Sequence, residues 1–277
     1  MTESATTGSA TTGSASAPVR YDVVDGVATI TLNRPDGMNG LTVATKEALL
    51  DAVRAAAEDE AVRCVVLTGS GRAFCVGQDL KEHITILQGS DAESLFSTVE
   101  DHYNPTVLAL LTMPKPVVAA VNGVAAGAGA SLAFACDFRV VKDTAGFNLA
   151  FTGIALSCDT GSSWTLPRIV GRAKALELLY FPRTIPADEA LELGLATKVV
   201  PEDQFDEEVT TLARRLAAGP TVAYGAVRRS VEFSAGHTFE ESLAFEASMM
   251  TLTGDTEDHR RAVDSFVAKE KPTFEGR

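Results

Sequence analysis

The sequence predicts an α/β protein whose strand-bearing part gives way to a run of helices. Three observations carry this. Strand-like and helix-like patterns alternate over the first half of the chain. Two of the strands run directly into glycine-containing segments that open helices. From about residue 202 the apolar periodicity is helical nearly to the end. Alternation of this kind implies right-handed crossovers that lay successive strands parallel.

Taken in order, residues 1–19 are rich in Ser, Thr, Ala and Gly and are expected to form a disordered tail. They lack the basic and apolar blocks of a targeting peptide. YDVV (21–24) and VATITL (27–32) flank Asp25-Gly26, a hairpin signal. A helix is predicted over 43–58, with Leu49, Ala52, Val53 and Ala56 on one stripe. CVVLT (64–68) reads as a buried strand, followed by a glycine-rich loop over 69–79. A helix over 93–112 is ended by Met113-Pro114. A strand over 116–121 meets Asn122-Gly123, then a small-residue helix over 127–136 and a strand over 138–141. One further short strand is expected near 197–200. Helices are expected near 202–217, 221–234, 238–252 and 256–269. The expected divisions are the tail, a core over 20–218 and a helical region over 219–277.

A chain of 277 residues suits one large domain and needs no disulfide or metal to fold. Its formal charge of -13 argues against nucleic-acid binding. Cys64, Cys75, Cys136 and Cys158 show no CxxC spacing, and the histidines are scattered, so no metal site is expected. Free thiols suit a reducing cytoplasm. No apolar run reaches the length of a membrane span.

Two segments share one design: a buried strand, a glycine-containing loop and a helix start. They are CVVLTGSGRAFCVGQDL (64–80) and VVAAVNGVAAGAGASL (117–132). Helix N-termini leave backbone N–H groups unpaired at the positive end of the dipole. Glycine lets a ligand approach the backbone. Two such N–H groups aimed at one point make an oxyanion hole. Either loop alone is more simply read as close helix–sheet packing. The second is not a dinucleotide fingerprint, because Gly127-Ala128-Gly129 lacks the third glycine.

Together, AFCVGQDL (73–80) and AAVNGVAAGAGASLAFACD (119–137) resemble the two signature loops of the crotonase (enoyl-CoA hydratase/isomerase) superfamily. The likeness runs from about Tyr21 to Gly276. It implies a spiral of ββα units with a helical C-terminal oligomerisation region that forms a homotrimer or a dimer of trimers. It implies an acyl-CoA substrate, with coenzyme A part of that substrate and no other cofactor. The implied oxyanion donors are the backbone N–H groups of Gln78 and Ala128. Implied substrate and CoA contacts are Cys75, Val76, Gly77, Lys81, Gly127, Phe151 and, from a neighbouring subunit, Lys269.

Hydratases of this superfamily use two glutamates, and here Ser131 and Phe151 stand at those positions. FNLAFTGIALSCDTGSSWTLPRIVG (147–171) is similar to the corresponding segment of isomerase members, with an aspartate at Asp159 and Cys158 in place of a proline. The overall look is nearest to the ring-opening 1,2-epoxyphenylacetyl-CoA isomerases of phenylacetate catabolism. From spacing alone, Asp159 reads as the N-cap of the helix holding Trp164 and Leu166. The resemblance makes it the catalytic acid/base, with a pKa raised in an apolar pocket. Ser131 is read as a packing residue, Phe151 as a pocket wall, Asp137 as the tie of a turn, Asp79 as a helix cap and His83 as solvated. Lys81 and Lys269 are surface charges by default and CoA contacts by resemblance. The expected function is an acyl-CoA isomerase. The alternatives are a dehalogenase with Asp159 as nucleophile, a hydratase by homology, and a CoA-binding protein without chemistry.

Overall fold

The computed structural model describes residues 10–12, 16–89 and 95–277. Part of the tail, residues 1–9 and 13–15, lies outside the described residues, and so does the start of the helix expected over 93–112. Inside the tail, β1 (Ala10–Thr12) pairs antiparallel with β2 (Val19–Val24), with Thr12 opposite Tyr21. Within the expected tail, these three residues and Val19 thus lie in strands. The edge of β2 offers free N–H and C=O groups, and threonines suit an extended backbone.

β2 and β3 (Val27–Leu32) form the predicted hairpin. Its turn residues Asp25 and Gly26 have φ of 51° and 75°, the left-handed pair that a tight two-residue turn requires. α1 (Val43–Glu58) follows, with the Thr42 side chain accepting from the Thr45 N–H. Its buried face holds the predicted Leu49, Ala52, Val53 and Ala56, and also Lys46.

Next come β4 (Cys64–Gly69), β5 (Ala73–Cys75) and α2 (Leu80–Leu87). α3 spans Asn104–Thr112 and begins later than the sequence suggests. A wide π turn, Val99–Tyr103, precedes it. Pro105 has no N–H for a regular i→i−4 bond, so the chain cannot run as one ordinary helix through this point.

The rest of the core alternates strand and helix. β6 (Val117–Val121), β7 (Val124–Ala126) and α4 (Ala128–Phe134) lead to β8 (Phe138–Lys142) and β9 (Gly146–Asn148). α5 (Ser162–Val170), α6 (Arg172–Tyr180), β10 (Thr184–Pro186), α7 (Ala187–Glu192), β11 (Lys198–Val200) and α8 (Phe205–Ala217) complete it. The large sheet has the order β1-β2-β3-β4-β6-β8-β11, parallel from β3 onward. The small sheet has the order β10-β9-β7-β5. Three successive units, β4-β5-α2, β6-β7-α4 and β8-β9-α5, each lay one strand in the large sheet, one in the small sheet, and then a helix, which is the expected ββα spiral. The small sheet was not foreseen, because its strands have three residues each, too few to show alternation.

The strand side chains explain the layering. On β4, Val65 and Leu67 enter the main core with Phe74, Leu132 and Phe147. Cys64 and Val66 point to the opposite face, into a second cluster with Val209 and Leu216 of α8. β6 divides in the same way, which is why VVAAV reads as one unbroken apolar run.

α9 (Thr221–Ser234), α10 (Phe239–Gly254) and α11 (Glu257–Ala268) form the helical end. α9 is tied to the core by Arg228, whose Nε is 2.8 Å from Asp137 Oδ1 and whose Nη2 is 2.8 Å from the Leu110 carbonyl. Asp137 Oδ2 also accepts from the Val117 N–H at 2.7 Å, so it ties the turn as expected. The C-terminus folds back: Asp258 accepts the Glu275 and Gly276 N–H groups at 2.7 and 2.8 Å, and Arg63 donates to the Phe274 carbonyl at 2.9 Å. Among the described residues, no helix is long and apolar enough to cross a membrane.

Candidate active site

The two glycine-containing loops meet where β5 pairs with β7. Gly129 lies so close to the first loop that a Cβ on it would stand 2.2 Å from the Cys75 carbonyl oxygen. Gly77 has φ of 82°, and a Cβ there would stand 2.9 Å from the Ala126 oxygen and 3.2 Å from the Ala128 nitrogen. The backbones on which Gln78 and Ala128 sit are therefore neighbours. Neither the Gln78 nor the Ala128 N–H donates a hydrogen bond to another described residue. The Ala128 N–H is left free because it opens α4. The Gln78 N–H is turned away from the segment at Leu41, because the Leu41 N–H donates to the Gly77 carbonyl at 2.8 Å and the Asp79 N–H to the Leu41 carbonyl at 3.1 Å.

Side chains hold the first loop in place. Asn39, fully buried with φ of 57°, donates from Nδ2 to the Ser70 and Ala73 carbonyls at 2.9 and 2.8 Å. Asp79 caps α2 through the Lys81 and Glu82 N–H groups at 3.0 and 3.2 Å, as predicted, and pairs with Arg34 at 2.9 Å. Burial pushes the Asp79 carboxyl upward, but these N–H groups and the guanidinium outweigh it and hold its pKa below the usual value.

The Gln78 side chain enters a polar cluster that the sequence did not reveal. Its Oε1 accepts from the Tyr103 hydroxyl at 2.5 Å and from Lys46 Nζ at 3.2 Å. Lys46 also bonds the Thr98 hydroxyl and lies 5.3 Å from the centre of the Tyr103 ring. Burial lowers the Lys46 pKa, against the opposing charges of Glu82 and Asp159. Burial raises that of Tyr103, and the Asp159 charge adds to the effect. The available signal was Lys46 itself, three residues before Leu49 and seven before Val53 on the apolar stripe of α1.

Asp159 is not the cap that spacing suggested. The N-cap of α5 is Gly161, with no side-chain cap bond. Thr160 and Gly161 both take left-handed φ, 52° and 78°. The Ser162 N–H therefore bonds the Asp159 backbone carbonyl, at 3.0 Å, and leaves the carboxylate out of the capping role. That carboxylate accepts the Thr160 hydroxyl at 2.8 Å. Burial raises its pKa, and Thr160 and Lys46 offset part of the rise.

Ser131 is buried on α4, its Oγ 2.5 Å from Ser162 Oγ and 3.1 Å from the Gly127 carbonyl. Phe151 is buried too, with Cε1 at 4.0 Å from where a Gly127 Cβ would stand. It borders a cavity of about 440 Å³ shared with Cys158, Pro167 and Leu176. Cys75 is fully buried and its thiol is pushed up to about 12, chiefly by burial. Val76 is half-buried in the first loop. Lys81 and Lys269 are exposed, Lys269 at the left-handed end of α11, and neither forms an ion pair among the described residues. His83 is half-buried, its ring edge-on to Phe96. No cluster of three or more metal-ligating side chains occurs among the described residues.

The sequence profile of the enoyl-CoA hydratase/isomerase family matches residues 22–277. The chain belongs to the enoyl-CoA hydratase/isomerase family. It is 38% identical over 255 residues to the 1,2-epoxyphenylacetyl-CoA isomerase of Escherichia coli K12, covering 92% of this chain and 97% of that one. It is 37% identical over 228 residues to 4-chlorobenzoyl coenzyme A dehalogenase-2 of an Arthrobacter species, covering 82% of each. The enoyl-CoA hydratase structure from Bacillus anthracis superposes with a TM-score of 0.88 at 31% identity, covering 94% of this chain and all of that one. As an enoyl-CoA hydratase/isomerase family member the protein is an enzyme of acyl-CoA thioesters. Its relatives carry three different reaction names, so the family alone does not select the reaction.

Proposed function

We propose that the enzyme isomerises an acyl-CoA thioester, shifting a double bond or opening a ring epoxide, with Asp159 carrying the proton. In the double-bond case the thioester carbonyl oxygen sits between the Gln78 and Ala128 N–H groups. The Asp159 carboxylate takes a proton from the carbon beside the carbonyl. The electron pair moves into the carbonyl, and the two N–H groups stabilise the enolate oxygen, each donor being worth about 10²–10³ in rate. Protonated Asp159 returns the proton at the far end of the extended enolate. The double bond moves by one position, and no atom is gained or lost. The Gly77 and Gly127 backbones flank the thioester, and Phe151 walls the acyl group. Lys81, and Lys269 of a neighbouring copy, meet the CoA phosphates.

One observation carries this reading: Asp159 is the carboxylate that remains. By the sequence resemblance Ser131 and Phe151 stand in for the hydratase glutamates, and neither is a carboxylate: Ser131 bonds Ser162 and Phe151 is buried. A half-buried carboxylate with a raised pKa suits proton return as well as proton removal. Because burial makes Asp159 hold its proton to higher pH, the acid limb of activity lies above the ordinary carboxylate value of about 3.9.

The test is turnover of a 3-enoyl-CoA by wild type and Asp159→Asn. The substitution is expected to cut kcat by about 10²–10⁴ and to leave CoA-ester binding intact. Retention of more than about a tenth of the rate overturns the assignment. Crotonyl-CoA hydration is expected to be negligible, and turnover on the order of 10 s⁻¹ would reinstate the hydratase reading. Chloride release from 4-chlorobenzoyl-CoA in the same assay would favour the dehalogenase.

We also infer a cytoplasmic homotrimer or dimer of trimers. Val231, Leu243 and Phe266 on the three C-terminal helices are 65%, 49% and 84% exposed, which supports burial against another copy. Light scattering that finds an active monomer at micromolar concentration excludes this assembly.

A further inference from the structure

Lys46 is only 2% exposed, yet among the described residues its hydrogen bonds go to neutral oxygens, those of Gln78 and Thr98. An ammonium taken out of water without a paired carboxylate costs stability. A methionine on the same apolar stripe would fill the space without that cost. Its presence therefore calls for a reason other than stability, and its position supplies one. Lysine has donors only, and the Tyr103 hydroxyl also donates to Gln78 Oε1, so the Gln78 carboxamide is forced to turn its oxygen toward this pair. Its Nε2 then has no partner among the described residues. That nitrogen is also absent from the buried atoms that lack one, so it reaches open space.

We propose that Lys46 is a positioning residue of the active site, a buried ammonium that with Tyr103 locks the Gln78 carboxamide in one orientation and sets its charge against that of Asp159. Gln78 is also the residue whose backbone N–H is the first oxyanion donor of the proposed reaction, so the clamp acts on the hole through its own side chain. Charged and titratable groups reach Lys46 from every side. Glu47 shares its helix, Glu82 comes from α2, Asp159 from the loop before α5, and Tyr103 from the π turn. His102 bonds the Thr98 hydroxyl at 3.0 Å. The net effect of the ammonium on Asp159 is to favour the carboxylate against burial. Removing the charge makes Asp159 harder to ionise, so its base form appears only at higher pH.

The experiment is the pH profile of kcat for 3-enoyl-CoA isomerisation by wild type, Lys46→Met, Lys46→Arg and Tyr103→Phe, with Tm recorded for each. For Lys46→Met we expect kcat at neutral pH to fall about tenfold with KM within about threefold. Its acid limb should move to higher pH, and Lys46→Arg should bring the limb part of the way back. Tyr103→Phe, which leaves the ammonium in place, should lower kcat a few-fold without moving the limb. An unmoved limb in Lys46→Met overturns the proposal, whether kcat is unchanged or falls together with Tm. The proposal rests on Asp159 as the proton carrier, and the two fail differently. An active Asp159→Asn removes that assignment, whereas an inactive Asp159→Asn beside a silent Lys46→Met removes only the role of Lys46.

Discussion

Side chains supply much of the support of the first loop, beside its backbone bonds to Leu41, whereas the second is held chiefly by close backbone contact. Around residues 73–80, Asn39, Arg34, Lys46 and Tyr103 each supply one or more hydrogen bonds, and each can be removed singly. Around residues 124–132, Gly129 lies against the Cys75 carbonyl, and the residues of α4 are all buried. Polar support is graded, because bonds are lost one at a time. Steric support is nearly all-or-none, because a close-packed contact has no slack. Damage to the first loop should therefore tune the enzyme, and damage to the second should break it.

The largest effect is expected at the steric contact. Gly129→Ala would place a Cβ 2.2 Å from the Cys75 oxygen, where backbone faces backbone and no flexible side chain can yield. Relief requires the loops to part, which separates the Gln78 and Ala128 N–H groups. We expect a stability loss of about 3 kcal/mol and a further fall in kcat of about 10²–10³ in the folded fraction. Thermal melts and active-site-normalised kinetics measure the two. A variant with wild-type Tm and rate would show that the second loop yields more readily than its packing implies.

An intermediate effect is expected at Asn39. Asn39→Ala leaves the Ser70 and Ala73 carbonyls short of a donor and puts alanine at φ of 57°. The expected cost is about 2 kcal/mol, read by urea unfolding. Asn122 Nδ2 still reaches the Ala73 carbonyl at 3.2 Å, so the loop keeps part of its support. The rate should fall less than about tenfold, in contrast with Gly129→Ala. Equal losses in the two variants would erase the distinction between the loops.

The same contrast explains what the sequence made legible. The second loop and the long strands were readable, because VVAAV and the Gly/Ala run express packing that is local in sequence. α1 and the helices from α8 to α11 were readable from periodicity. The three-residue strands of the small sheet were not, since so short a run has no pattern of its own. The polar support of the first loop was hidden for a different reason. Lys46 meets Gln78 across 32 residues, and Gln78 meets Tyr103 across 25. Only the crossovers of the spiral bring them together. Asp159 lay between these cases: its spacing suggested a cap, and two left-handed residues, Thr160 and Gly161, turned it away from that role.

The smallest effect is expected at Ser131, where the comparison between loops and the choice of reaction come together. The sequence resemblance sets Ser131 where a hydratase of the family has a glutamate, and it lies on the sterically held side. Its hydroxyl bonds Ser162 Oγ and the Gly127 carbonyl, joining α4 to the start of α5. Ser131→Ala removes both bonds but adds no bulk, so Gly129 still rests on Cys75 and the Ala128 N–H stays where it was. The Ser162 hydroxyl is left buried without that partner. The expected cost is about 1 kcal/mol, with kcat changed by less than about threefold, because a packing hydroxyl takes no part in proton transfer. A residue acting as general acid or base is worth about 10²–10⁴, so the two roles are well separated in one assay. If Ser131→Ala kept its Tm and lost more than about a hundredfold in rate, the hydroxyl would belong to the chemistry. Asp159 would then no longer be the only proton carrier.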